Sequence, residues 1–131
     1  MIGLDTNVLV RYLAQDEPAQ AKRANALVAE ALARGDRCAI SSVTLCELVW
    51  VLDGAYRLDR LAIASALERI LDTADFVVED RDVVRRAVAD YRRGPGDFAD
   101  YVIGWRNRAA GCEATATFDR GLRGSELFRV L

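Results

Sequence analysis

The sequence predicts an α/β domain organised around a mostly parallel sheet. Short apolar runs of strand length, near residues 2–4, 38–40, 76–78 and 114–118, alternate with longer stretches of helical periodicity. The first run is uncharged, as a buried parallel strand requires, and stops abruptly at Asp5. Right-handed crossovers between such strands gather their carboxyl ends, and the polar residues there, on one rim. At 131 residues the chain has the length of one domain, taken as 1–131, with room for a sizeable core.

Each element follows from local pattern. After Asp5, the residues Val8, Leu9, Val10, Tyr12 and Leu13 continue as a helix, and Asp5 can serve as its N-cap. Asp16, followed by Glu17 and Pro18, opens a second helix, whose apolar face is Ala24, Leu27, Val28, Ala31 and Leu32 and whose stop is Gly35. Residues 38–40 form the next strand. Residues 43–52 form a strongly apolar helix with Glu47 as its one charge, ended or bent by Gly54. Asp59 caps a helix that aligns Ile63, Ala66, Leu67, Ile70 and Leu71. After the strand at 76–78, Asp80 caps another, with Val84, Ala87, Val88 and Tyr91 on one side. Gly94-Pro95-Gly96 is the clearest break, and it leads into a helix starting Asp97-Phe98-Ala99-Asp100, with Phe98, Val102, Trp105 and Ala109 toward the core. Gly111 stops it. The last apolar stretch, 127–131, reads as an edge strand.

Composition narrows the chemistry. The chain has no His, which removes His-based triads and His-ligated zinc. Three Cys, Cys38, Cys46 and Cys112, none in a C-x-x-C pair, read as buried free thiols. No apolar run approaches membrane length, the longest being 48–52, and Met1 leads directly into a strand without a basic leader; the expected location is cytoplasmic, with no membrane contact. Net charge is −2, yet all 18 basic residues except Lys22 are Arg, which grips phosphate bidentately but also follows from a GC-rich genome.

Acidic residues recur at the strand ends or in the helices beyond them: Asp5, Glu47, Asp97 with Asp100, and Asp119. Each has a structural alternative. Asp5, Asp97 and Asp119 can cap helices, Thr44 with Glu47 fits a capping box, and Asp100 suits a first helical turn. Taken together, carboxylates on one rim repel unless a cation lies among them. Oxygen donors alone favour Mg²⁺, with Mn²⁺ as substitute.

Ile2-Gly3-Leu4-Asp5-Thr6-Asn7, Ser42 with Glu47, the run Asp97-Phe98-Ala99-Asp100-Tyr101-Val102-Ile103, and Thr117-Phe118-Asp119 resemble the PIN-domain ribonucleases, nearest to the VapC-type toxins of bacterial toxin–antitoxin systems. The resemblance spans nearly the whole chain in order. It implies a three-layer α/β/α sandwich and a Mg²⁺-dependent endoribonuclease that cuts RNA with water activated at the cation. It also implies a cognate antitoxin protein. The family's acidic quartet falls on Asp5, Glu47, Asp100 and Asp119. Asp5 and Asp100 are the expected metal ligands, with Asp97 as an additional ligand or support. Thr6, Asn7, Ser42 and Thr117 suit supporting or substrate-orienting roles. Arg11, Arg106, Arg108 and Arg120 are the expected RNA contacts, whereas Arg85, Arg86, Arg92 and Arg93 read as a solvated face. The apolar helices around 45–56 and 63–71 suggest a homodimer. Rival readings are a PIN-like binding module without catalysis, a DNA or flap nuclease, and a haloacid-dehalogenase-like phosphatase. The last needs Asp-x-Asp where this chain has Asn7, and a Lys downstream of Lys22.

Overall fold

The computed structural model describes residues 1–131. In chain order its elements are β1 (Ile2–Gly3), α1 (Thr6–Ala14), α2 (Pro18–Ala33), β2 (Cys38–Ile40), α3 (Ser42–Gly54), α4 (Arg60–Asp72), β3 (Phe76–Val78), α5 (Arg81–Arg93), α6 (Phe98–Ala109), β4 (Thr115–Thr117) and β5 (Phe128–Val130), with a 3-10 turn at Arg120–Leu122. All strand pairings are parallel, and the arrangement is a three-layer α/β/α sandwich. The hydrogen-bonded ladder falls in two pieces, β1-β2-β3 and β4-β5. Ile2 aligns with Cys38, Cys38 with Phe76, and Thr115 with Phe128.

One apolar cluster of 27 buried residues draws on both helical layers and the sheet. Leu9 and Val10 enter from α1, Leu45, Leu48, Val49 and Leu52 from α3, and Ile63, Leu67, Ile70 and Leu71 from α4. Val84, Ala87, Val88 and Tyr91 of α5 are all buried, as their spacing predicts. These faces pair α1 with α2 and α3, α4 with α5, and α5 with α6. The helices thereby hold the carboxyl ends of short strands that have little ladder of their own.

Several details differ from the sequence reading. β1 pairs on one side only, and Ile2 is 41% exposed, so the buried part of the first run is Leu4. Glu17, not Asp16, caps α2 by accepting from Gln20 N–H at 2.8 Å; Asp16 instead accepts from the Tyr56 hydroxyl at 2.7 Å. Leu32 lies at the end of α2 beyond the packed stripe and is exposed. On α6 the buried set is Phe98, Tyr101, Val102 and Gly104, with Trp105 half-buried and Ala109 exposed. Tyr101 goes inside because its hydroxyl has a partner there, accepting from Gly96 N–H at 2.9 Å. No helix is long and apolar enough to cross a membrane.

Candidate active site

The acidic residues occupy two kinds of position. Asp5 and Asp119 follow β1 and β4 and cap the helical turns beyond them. Asp100 and Glu47 project from the helices α6 and α3. In each case one carboxylate oxygen is engaged by the fold. Asp5 Oδ1 accepts from Val8 N–H at 3.0 Å, and Asp119 Oδ1 from Gly121 N–H at 2.8 Å. Asp100 Oδ2 accepts from Asp97 N–H at 3.2 Å, and Glu47 Oε1 from the Thr6 hydroxyl at 2.9 Å. The second oxygen of all four is left to a ligand or to water.

The alternative role for Glu47 does not survive. Ser41 is the N-cap of α3, accepting from Thr44 N–H at 3.1 Å, so Thr44 and Glu47 are no capping box. Glu47 is tied instead to Thr6, 41 residues earlier, which joins α1 to α3 beside Asp5. Asp97 does cap α6, and Asp100 in its first turn answers the Asp97 backbone.

Burial pushes the Asp100 carboxyl above the usual aspartate range, and the nearby charges of Asp97 and Asp119 push the same way against the Asp97 N–H bond. Negative charge is therefore crowded around Asp100 with no cationic side chain answering it. The donor chemistry fits a hard divalent cation. No three acidic side chains converge closely enough to form a shell of direct ligands by themselves. A cation here would rest on one or two carboxylates and keep water elsewhere, which is the habit of Mg²⁺ rather than of a fully caged ion.

The supporting residues separate into those beside the acids and those with other partners. Thr117 accepts from Asp119 N–H at 3.0 Å through its hydroxyl, fixing the turn after β4. Asn7 is exposed and lines a cleft of about 420 Å³ with Asp5, Arg11, Gln20 and Arg23. Arg11 points along this cleft, donating to Gln20 Oε1 at 2.7 Å and pairing with Asp16 at 3.6 Å. Ser42 is 1% exposed; its backbone N–H and hydroxyl both donate to Glu79 Oε1, at 3.1 and 2.9 Å. These bonds hold the Glu79 carboxyl below the usual range. Arg106 bonds the Ser42 hydroxyl at 3.2 Å and pairs with Asp80 at 3.4 Å. Arg108 donates to the Glu113 and Glu126 carbonyls, each at 3.2 Å, and ties α6 to the C-terminal segment. Arg120 is exposed next to Asp119. Arg106 and Arg108 are thus engaged within the protein, as is Arg11 through Gln20 and Asp16; Arg11 and Arg120 stand beside acids of the site.

Sequence reasoning missed the support behind Asp100. Arg60, the first residue of α4, donates to the carbonyls of Gly96 at 2.7 Å, Tyr91 at 3.0 Å and Pro95 at 3.3 Å, and lies over the Tyr91 ring at 4.4 Å. It clamps the turn that delivers Asp97 and Asp100. Nothing at position 60 announces this, because its partners are backbone atoms more than thirty residues away.

The fold is thus a parallel α/β sandwich with carboxylates after β1 and β4 and on α3 and α6, and the chain has no histidine. Residues 2–124 match the family model "PIN domain", and the chain belongs to that family. It is similar to "VapC ribonuclease" of Aquifex aeolicus (strain VF5), with 26% identity over 117 residues, covering 89% of this chain and 86% of that protein. No solved structure gave a significant match.

Proposed function

We propose that this protein is a divalent-cation-dependent endoribonuclease of the VapC type, the toxin of a toxin–antitoxin pair. The observation that carries the reading is the state of its four carboxylates: Asp5, Glu47, Asp100 and Asp119 each have one oxygen anchored by the fold and one left over. Membership of the PIN family and the likeness to the Aquifex VapC ribonuclease support RNA as the substrate.

Asp5 and Asp100 would hold the cation, Mg²⁺ or Mn²⁺, with Asp97 as support. A divalent cation bound there supplies neutralisation of phosphate charge and acidification of a water. Glu47 and Asp119 orient water through their remaining oxygens, and with no His in the chain they are the proton acceptors at hand. Thr6 holds Glu47 in one orientation, so the acceptor is positioned before substrate arrives. Asn7 and Arg11, beside Asp5, and Arg120, beside Asp119, take phosphates on either side of the cut. Ser42 serves α3 through Glu79 rather than touching RNA. Attack by water leaves a 5′-phosphate and a 3′-hydroxyl.

The same reading includes a cytoplasmic homodimer and a bound antitoxin. Val43, Trp50 and Leu61 are large apolar side chains left more than half exposed on α3 and α4, and they support a protein-covered surface.

The test is cleavage of total cellular RNA by purified protein, with mapping of new 5′ ends. Cleavage is expected with Mg²⁺ or Mn²⁺, little with Ca²⁺ and none with EDTA. Robust cutting in EDTA, or 2′,3′-cyclic phosphate ends, would sink the mechanism. A monomeric mass by light scattering at tens of micromolar would remove the dimer.

A further inference from the structure

Phe118 is the most exposed large apolar side chain of the chain, at 82%, and it lies directly between Thr117 and Asp119. A single exposed apolar residue is unremarkable in itself. Its position is what matters. The backbone on both sides of it is pinned: Leu131 N–H donates to the Thr117 carbonyl at 2.8 Å, and Asp119 N–H donates to the Thr117 hydroxyl at 3.0 Å. Asp119 is further fixed by the Gly121 N–H. The ring therefore rises from an ordered turn. Consecutive Cα atoms are about 3.8 Å apart, so a ring at 118 stands within one nucleotide's reach of a carboxylate at 119.

Its surroundings select the partner. Asp119, Arg120 and Gly121 are all exposed, so charge and bare backbone flank the ring on its C-terminal side. A stable protein interface needs roughly 800 Å² per partner with an apolar centre, which Phe118 and the neighbouring exposed Leu131, set beside an acid and a base, do not provide. An aromatic face beside a cationic side chain is the arrangement that holds single-stranded nucleic acid, the ring taking a base and the cation a phosphate.

Resting on the ribonuclease reading, we infer that Phe118 is a base-stacking residue, holding the nucleobase next to the cut while Arg120 takes the adjoining phosphate. Stacking is indifferent to base identity but demands an unpaired base, so this residue selects single-stranded or loop RNA.

The test uses a short single-stranded RNA carrying a cut site mapped in total RNA, and the same RNA with each base near the cut removed in turn. Phe118→Ala is expected to raise KM about tenfold or more with kcat little changed, and Phe118→Trp to keep KM near that of the unaltered protein. One abasic position should cost the unaltered protein a similar factor and cost Phe118→Ala nothing further. Equal KM for Phe118→Ala and the unaltered protein overturns the inference while leaving the ribonuclease reading intact. So does an unchanged KM with a shift in sedimentation mass, which would make Phe118 a protein contact. If the unaltered protein cuts no RNA with Mg²⁺ or Mn²⁺, both fall.

Discussion

Asp5 and Asp100 each stand at the start of a helix, and each has one oxygen on a backbone N–H. What lies behind them differs. Asp5 follows a two-residue strand paired on one side, and its neighbours Ile2, Gly3 and Asn7 are exposed. Asp100 follows a turn gripped from both sides, by Arg60 from α4 and by the Tyr101 hydroxyl from α6 itself. The glycines of that turn leave no slack. A Cβ on Gly94, at φ +60°, would meet Arg60 Nε at 3.3 Å, and one on Gly96 would meet Leu122 Cδ2 at 2.6 Å. One acid is held by local capping, the other by tertiary packing. Local capping leaves a carboxylate facing solvent, whereas tertiary bracing can hold one where burial and like charge disfavour its ionised form.

The largest expected effect comes from removing the strained charge. Asp100→Asn should lower cleavage by ~10³-fold, the several kcal/mol a bound divalent cation contributes. It should not weaken the cation-free protein. The folded-state pKa of Asp100 is raised, so the stability it confers is present below the unfolded value and lost as pH rises through the folded one. At pH 7 the ionised group opposes folding, and Asn removes that opposition. Free Mg²⁺ at ten times its Kd should add about 1.4 kcal/mol to the unaltered protein, near 5 °C in Tm, and little to Asp100→Asn. Melting curves in EDTA and in Mg²⁺ at constant ionic strength check both. A variant markedly less stable in EDTA would make Asp100 a structural residue.

Next come changes to the brace. Gly96→Ala must displace Leu122 or the Tyr101 ring and should cost about 2 kcal/mol, roughly 7 °C in Tm. Arg60→Ala should cost a similar amount, and Arg60→Lys should recover only part of it, because an ammonium cannot serve three carbonyls in the fork geometry. If both proteins melt like the parent, the turn is held by something other than this clamp.

On the side of Asp5 the effect should be catalytic rather than structural. Thr6→Val removes the hydroxyl that orients Glu47 and should lower kcat by about tenfold with Tm moved by less than about 2 °C. A large loss of Tm at position 6 would erase the distinction between the two halves.

The smallest effect is expected at Glu79. Its pKa is lowered by Ser42, so its contribution is present above the unfolded value and lost as pH falls through the folded one. Glu79→Gln should cost under about 1 kcal/mol at pH 7, since the group is exposed, and the difference from the parent should shrink on acidification through the carboxylate range. Denaturant midpoints at pH 7 and pH 3 make the comparison.

The order of strands and helices was legible in residue spacing, because burial of one face imposes a period on the chain. Val84, Ala87, Val88 and Tyr91 show this plainly, and so do the strands at residues 38–40 and 76–78. Asp5 and Asp119 were legible for a related reason, since a carboxylate that follows an apolar run of strand length stands out against it, whereas Glu47 and Asp100 lie within helices. Partnership was not legible. That Glu47 answers Thr6 and not Thr44, that Ser42 is enclosed by Glu79, and that Arg106 and Arg108 are taken up by protein atoms depend on contacts between residues far apart in the chain. A side chain's available hydrogen bonds are a property of its residue type, and sequence supplies them. Which of them remain for a substrate depends on what the folded chain brings within 3 Å, and only the tertiary structure decided that.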